Sequence, residues 1–237
     1  MYALTEHAQA YRMRRKKLAL LCDWDVQEGM YAMAIDPEQI RQGGPMSAEE
    51  YIRLDQDTWN GKYEYLDGIA RLMSGGSAEH NRIARNVANA IEMHFLSGPC
   101  TVFGSDVRVL IGSKADGREH YVYPDVTVSC DVADRRRGVK LIQSPRIVVE
   151  VLSPGTEATD RGRKLATYKA CPTIQEIMLI NQFAPHVEVY RRGEDDTAWH
   201  YIVFEADSPI ELSSIDVHIL PTEIYRGINF DEPLLED

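Results

Sequence analysis

Two acidic residues interrupt segments that otherwise predict buried β-strands. Glu150 lies in the run Ile147–Leu152, whose other five residues are apolar, and Asp125 lies within the strand-like segment 121–129. An ionised carboxylate in such a strand is costly unless it is paired with a cation or binds a metal. Carboxylates on successive strands of one sheet are a natural way to hold a hard divalent cation. These residues therefore indicate metal-dependent chemistry, and a strand-end ion pair with Arg or Lys is the structural alternative for Glu150.

A third group of side chains follows the Glu150 strand. Asp160, Lys164 and Tyr168 are spaced i, i+4 and i+8, which places them on one face of a helix. The short loop 153–155 would return this helix over the end of the strand, so that Lys164 approaches the acids. A buried ammonium there can activate water or stabilise a transition state. The alternative is an ordinary surface pair of Asp160 with Lys164, worth about 0.2–0.5 kcal/mol, and spacing alone does not decide between them.

Helical and strand patterns alternate around these residues. Ser47 and Glu50 form a capping box that opens a short helix, and Asp67-Gly68 is a hairpin turn signal. We predict helices over 47–57, 77–96 and 160–170, and strands over 62–66, 69–73, 101–111, 121–129, 146–152, 174–180, 187–191 and 199–204. The order predicts an α/β (α+β) domain, a mixed β-sheet flanked by helices.

Charge is distributed unevenly along the chain. The net charge is −11, and residues 194–237 hold 12 acids and one base, so the preceding residues sum to zero. We expect an N-terminal extension at 1–44 that ends at a Gly-Gly-Pro turn, a domain at 45–205, and a solvated acidic segment at 206–237. The neutral body is free to carry local basic surface toward phosphates.

Several other classes of protein do not fit the sequence. No apolar stretch approaches about 18 residues, and the run 18–22 is shorter than the secretory core of about 7–15 residues. We therefore expect a cytoplasmic protein without a membrane partner. The four cysteines are widely spread and have no CxxC pair, so we expect buried free thiols and no zinc site.

The motifs together resemble one family. Tyr-Pro-Asp125, Val-Val-Glu150-Val-Leu-Ser-Pro and Asp160-Arg-Gly-Arg-Lys164-Leu with Tyr168 resemble the Uma-two family of restriction endonucleases, within the PD-(D/E)XK nuclease superfamily. The hairpin motif around Glu64 and the downstream His80 also match, and the similarity runs from about 46 to about 192. The superfamily's usual lysine, two residues after the second acid, is Leu152 here, and Lys164 is the matching lysine on the helix.

The resemblance implies metal-assisted hydrolysis of phosphodiester bonds in DNA. Asp125, Glu150, the Val151 carbonyl and Glu64 would ligate Mg²⁺ or Mn²⁺, and Lys164 would orient or deprotonate a water molecule. His80 and Tyr168 are candidates for phosphate contacts, with packing roles as the alternative. A wider basic rim could contact phosphates: Arg135–Arg137, Lys140, Arg161, Arg163 and Lys169.

Two other functions fit the same residues. One is a catalytically silent nuclease fold that binds nucleic acid or a protein partner, which the acidic C-terminal segment favours. The other is a hydrolase of a small phosphoester. This function is disfavoured because the sequence shows no compact substrate-binding motif. Because cleavage of both DNA strands commonly needs two sites, we also expect a homodimer.

Overall fold

The structure is a computed structural model that describes residues 45–57, 61–95, 98–112, 117–195, 198–205 and 208–231. The predicted N-terminal extension at 1–44 lies outside the described residues. The helices are α1 (Ala48–Asp57), α2 (Ala78–His94), α3 (Glu157–Thr159), a π-helical turn (Asp160–Lys164), α4 (Leu165–Ala170), a 3-10 turn (Ser213–Ile215) and α5 (Pro221–Ile224). The strands are β1 (Tyr63–Leu66), β2 (Ile69–Leu72), β3 (Thr101–Gly104), β4 (Arg108–Gly112), β5 (Glu119–Val122), β6 (Val126–Ser129), β7 (Leu141–Ile142), β8 (Ile147–Leu152), β9 (Glu176–Asn181), β10 (Val187–Arg192), β11 (Trp199–Phe204), β12 (Ile210–Leu212) and β13 (Val217–Ile219).

These strands form two larger sheets and a hairpin. The five-stranded sheet has the order β2-β1-β5-β4-β7, and the six-stranded sheet has the order β11-β10-β9-β8-β6-β3. Strands β8 and β9 pair in parallel and β6 with β8 antiparallel, so the six-stranded sheet is mixed, as predicted. The hairpin β12-β13 is the third sheet.

Local sequence signals explain the start of the described domain. Ser47 accepts a hydrogen bond from the Glu50 N–H at 3.2 Å, and Glu50 accepts one from the Ser47 N–H at 2.7 Å, which completes the predicted capping box of α1. Asp67 and Gly68 both have positive φ, at 53° and 79°, as the tight turn between β1 and β2 requires.

Strand β8 is buried on both faces. Ile147, Val149 and Val151 face a core formed with α2 and the β12-β13 hairpin. Val148 and Leu152 face a second core that includes residues of β1, β4, β5 and α4. Because side chains alternate along a strand, Glu150 points to the side of this second core. This explains the nearly continuous apolar run, which is typical of a doubly covered strand.

Two of the predicted strands are wrong in extent, because each is two strands that belong to different sheets. The segment 101–111 divides at a turn after Gly104, whose carbonyl accepts a hydrogen bond from the Val107 N–H at 3.3 Å. The segment 121–129 divides between β5 and β6, where Pro124 has no N–H to donate to a ladder. The break places Asp125 directly before β6.

The expectation of free thiols is wrong for two cysteines. Cys100 and Cys130 form a disulfide with a Cα–Cα distance of 3.9 Å, and Cys171 is free and buried. Strands β3 and β6 pair antiparallel with Thr101 opposite Ser129, so the next pair outward is Cys100 opposite Cys130. Their separation of 30 residues hides this in the sequence, because only the strand register brings them together.

The described part of the acidic C-terminal segment contributes to the core. Its apolar positions pack against α2 and the six-stranded sheet: Ile210, Leu212, Val217, Ile219, Ile224 and Tyr225. Asn86 of α2 donates to the carbonyls of Ile224 and Arg226, at 2.8 and 3.0 Å. The acidic residues of the hairpin alternate with these buried residues, so the same short segment carries negative charge and packs into the core.

Among the described helices, none has the length and apolar character needed to cross a membrane.

Candidate active site

Four carboxylates and a buried lysine lie together in a cleft of about 480 Å³. These residues are Glu64, Asp125, Glu150, Asp160 and Lys164, and we refer to this space as the acidic cleft. Glu64 comes from β1, Asp125 from the break between β5 and β6, Glu150 from β8, and the other two from the π-helical turn. Four separate segments of the chain therefore supply one site.

Glu150 is held by two partners from the helical segment that follows its strand. Its side chain is 5% exposed, and Oε1 accepts a hydrogen bond of 2.5 Å from the Tyr168 hydroxyl and lies 2.8 Å from Lys164 Nζ. Burial raises the pKa of Glu150 well above its ordinary value, and Asp160, Asp125 and Glu64 raise it further, while Lys164 opposes them. The carboxyl therefore depends on nearby positive charge to remain ionised.

Lys164 is the positive charge at the centre of this group. Its Nζ lies 2.9 Å from Glu64 Oε1, 2.8 Å from Glu150 Oε1 and 3.5 Å from Asp160 Oδ1. Burial alone would lower the pKa of Lys164, but the surrounding groups raise it well above its ordinary value, Glu150 most of all. Lys164 is therefore protonated near neutral pH.

The π-helical turn brings Asp160 and Lys164 to the cleft together. The Leu165 N–H donates to the carbonyl of Asp160, five residues earlier, instead of the usual four. Both side chains are about 95% buried, although the intervening Gly162 and Arg163 are exposed. Single π-helical turns of this kind occur often at functional sites.

Asp125 is fixed by the backbone of the neighbouring strand. Its Oδ2 accepts a hydrogen bond of 2.8 Å from the Val151 N–H and lies 3.3 Å from His80 Nε2. Burial would lower the pKa of His80, but Asp125 raises it above its ordinary value. Gly76 allows this placement, because a Cβ there would lie 2.8 Å from His80 Nδ1.

Glu64 connects the hairpin to the rest of the site. Its Oε1 accepts a hydrogen bond of 3.1 Å from the Tyr123 N–H, in addition to its ion pair with Lys164. The strand pairing of β1 with β5 explains this contact, since Tyr65 lies opposite Tyr121 and Glu64 is therefore close to Tyr123.

The carboxylates of the acidic cleft suit Mg²⁺ in an open site better than a metal ion enclosed by protein ligands alone. Among the described residues, no three side chains of the His, Cys, Asp or Glu type are arranged as an all-protein metal cage. Mg²⁺ commonly takes only one or two carboxylates and completes its shell with water and phosphate oxygens. Asp125 and Glu150 both line the cleft beside Val151, so they can supply the carboxylates of such an open site.

The other predicted substrate contacts divide between two locations. His80 lines the acidic cleft, and Tyr168 reaches it through its hydrogen bond to Glu150. Arg161 instead forms two hydrogen bonds with Glu188, of 2.8 and 2.6 Å, and one of 2.7 Å with Glu157. Arg161 and the exposed Arg163 are not among the described residues that line the cleft.

Lys62, Arg71 and Asn81 are among the polar residues that line the cleft and were not predicted from the sequence. Lys62 directly precedes β1, Arg71 lies in β2, and strand pairing sets Arg71 directly opposite Glu64. That register follows from the predicted Asp67-Gly68 turn, so counting outward from the turn could have found Arg71. The sequence placed Asp160 on the same helical face as Lys164, and its burial in the cleft depends on the π-helical turn.

Comparison with known proteins agrees with the fold and identifies the family. The family model described as "Putative restriction endonuclease" (Uma2) matches residues 48–218. That match spans well over half of the chain, and the chain belongs to this family.

The similar proteins span most of the chain. The uncharacterized protein slr1290 of Synechocystis sp. is 35% identical over 185 residues, covering 78% of this chain and 94% of that protein. The uncharacterized protein sll1609 of the same organism is 29% identical over 151 residues, covering 63% and 82%. A crystal structure titled "a putative nuclease belonging to DUF820" from Anabaena variabilis has a TM-score of 0.62 at 20% identity, covering 76% of this chain and 98% of that one. This last likeness concerns the fold alone, a mixed β-sheet architecture flanked by helices, as predicted.

Proposed function

We propose that this protein is a Mg²⁺- or Mn²⁺-dependent endonuclease that hydrolyses phosphodiester bonds of DNA. The observation that carries the proposal is the meeting of Glu64, Asp125, Glu150 and Lys164 in one cleft. The family and the fold support the same activity.

The cation would be held by Asp125, Glu150 and the Val151 carbonyl, and Glu64, which pairs with Lys164, would reach it through a water molecule. A bound divalent ion supplies a water molecule of lowered pKa and neutralises negative charge on the phosphate. Asp125 is oriented for this by the Val151 N–H and His80, and Glu150 by the Tyr168 hydroxyl. Such supports hold ligating carboxylates in place and commonly matter for metal affinity.

Lys164 has a different role from that of a base. Because its surroundings keep it protonated, its ammonium group acts as a donor that orients water or stabilises negative charge developing on the phosphate. Of the two roles the sequence suggested for Lys164, we therefore propose orientation and charge stabilisation rather than deprotonation.

The experiment is a cleavage assay on linear and supercoiled DNA, with RNA as a second substrate, in Mg²⁺ or Mn²⁺. We expect wild type to cleave DNA, and Asp125→Ala and Glu150→Ala to lose that activity while they remain folded. Glu92→Ala is the matched control, since Glu92 is an exposed acid on α2. If wild type and both variants are equally inert on every substrate, the catalytically silent binding module replaces the nuclease.

We also propose a twofold dimer as the active form and the cytoplasm as its location. One acidic cleft per chain would then serve each DNA strand. The Cys100–Cys130 disulfide is the observation that counts against the location, because cytosolic thiols are usually kept reduced. Thiol trapping in intact cells tests it, and a fully oxidised pair would contradict a cytoplasmic location.

A further inference from the structure

Arg71 differs from the lysines that line the acidic cleft. Lys164 is paired with Glu64, Glu150 and Asp160, and Lys62 forms an ion pair with Asp106. Arg71 is partly buried in the same cleft, yet its guanidinium has no ion pair or hydrogen bond with any described residue. An unpaired guanidinium that lines a cleft remains available to an anionic ligand.

Arg71 lacks an ion-pair partner even though the strand register places an acidic residue opposite it. Arg71 lies directly opposite Glu64 in the β1-β2 ladder, and opposite charges at such positions ordinarily attract. Glu64 is drawn away, since its Oε1 is taken by Lys164 at 2.9 Å and by the Tyr123 N–H at 3.1 Å. Glu64 is therefore paired within the site, and the Arg71 guanidinium remains available at the edge of the cleft.

We infer that Arg71 is a substrate-binding residue that holds a backbone phosphate of nucleic acid in the acidic cleft. This inference rests on the proposed function, because it assumes that the cleft accepts a polynucleotide. A guanidinium presents a planar fork of donors that matches two phosphate oxygens at once. It would also offset the repulsion between the four carboxylates and an approaching polyanion.

The test measures DNA binding separately from cleavage. Fluorescence anisotropy of a labelled duplex, with Ca²⁺ in place of Mg²⁺ and the DNA checked for integrity, is recorded over a range of salt concentrations. We expect Arg71→Ala to weaken binding about tenfold and to reduce the slope of log K against log salt by about one. Arg71→Lys should keep the slope and lose part of the affinity, because it keeps the charge and loses the fork.

Arg226→Ala is the matched control, since it removes the same charge from an exposed position outside the cleft. It should bind within about twofold of wild type. Equal binding and equal slopes for Arg71→Ala and Arg226→Ala would overturn the inference, as would a wild type that does not bind DNA. Displacement of the duplex by a mononucleotide at matched ionic strength would also overturn it, because a free phosphate monoester would then be the preferred ligand.

The two proposals fail in different ways. A wild type that binds DNA through Arg71 and never cleaves it would remove the nuclease activity and leave this inference standing. A wild type that cleaves DNA, with unchanged affinity and salt slope in Arg71→Ala, would do the reverse. Thermal melting of each variant confirms that the folded protein is being compared.

Discussion

Glu150 shows how an acidic side chain is tolerated inside an apolar strand. The sequence predicted that it needs a cation, and the structure places Lys164 Nζ 2.8 Å away. The structural alternative, an ion pair with a basic residue, and the catalytic interpretation therefore describe the same contact. The place of this pair in a cleft with three further carboxylates favours a functional site.

The first prediction concerns removal of Lys164. We expect Lys164→Ala to reduce cleavage by at least about 100-fold, because the charge at the phosphate loses its donor. We also expect a loss of about 3–5 kcal/mol in the free energy of unfolding, since buried carboxylates are left without their cation. Single-turnover cleavage and urea unfolding measure the two effects.

A double variant separates the loss of the Lys164 charge from the loss of its side-chain packing. Glu150→Gln removes one of the acids that repel each other when Lys164 is absent, so the double variant should recover about 0.5–3 kcal/mol relative to Lys164→Ala. Equal stability of Lys164→Ala and the double variant would contradict this repulsion, because removing the charge of Glu150 would then bring no gain. Full cleavage activity in Lys164→Ala would remove the lysine from the mechanism and leave the metal ligands in place.

At the scale of elements, strand boundaries decided which site residues the sequence could reveal. Asp125 was found because it is the acid of a strand-like segment, although that segment is two strands that part at Pro124. Arg71 was missed as a cleft residue because its position depends on cross-strand register. Asp160 was placed on the helical face of Lys164, but its burial depends on the π-helical turn. Local patterns predict the elements, whereas side-chain convergence depends on how those elements meet.

The contact between the π-helical turn and β10 is another feature that the sequence did not reveal. Arg161 was a candidate for phosphate binding, and the structure pairs it with Glu188, whose side chain is 3% exposed. Burial would raise the pKa of Glu188, but Arg161, Tyr201 and His186 outweigh it, and the pKa lies below its ordinary value. We therefore interpret Arg161 as a residue that fixes the turn to the sheet.

The second prediction follows from this lowered pKa. A depressed carboxyl pKa contributes stability that is present above the unfolded value of about 4.3 and is lost as pH falls through the folded value. Glu188→Gln should thus be about 1–2 kcal/mol less stable than wild type near pH 7, with the difference closing below about pH 4. Urea unfolding across this pH range measures it, and a difference that stays constant or grows in acid would contradict the ion pair.

At the scale of the whole molecule, the sequence predicted the order of elements well and their distribution among sheets poorly. The mixed α/β class and the central position of β8 follow from periodicity, since an apolar run bounded by turn signals is readable locally. The assignment of β3 and β4 to different sheets, and the disulfide beside β3, depend on contacts between distant segments. The alternating apolar residues of β12 and β13 were also missed, because the C-terminal segment was interpreted from its summed charge and not residue by residue.

The third prediction tests the role of that C-terminal hairpin. Ile219 is fully buried in the core with α2, so Ile219→Ala should cost about 2–5 kcal/mol in the free energy of unfolding. Glu211→Ala, an exposed position on the same hairpin, is the control and should change stability by less than about 0.5 kcal/mol. Equal and small effects for both would mean that the hairpin is dispensable to the fold.

The most direct test of the central claim is the rate of DNA cleavage as a function of Mg²⁺ concentration, in wild type and in Asp125→Asn. We predict that wild-type activity rises to saturation with Mg²⁺ and disappears when the ion is chelated. In Asp125→Asn the rise should shift to higher Mg²⁺ by at least about tenfold, because a ligating carboxylate is lost. Cleavage that persists after chelation, or that responds to Mg²⁺ identically in both proteins, would contradict the assignment of the acidic cleft as a metal-dependent nuclease centre.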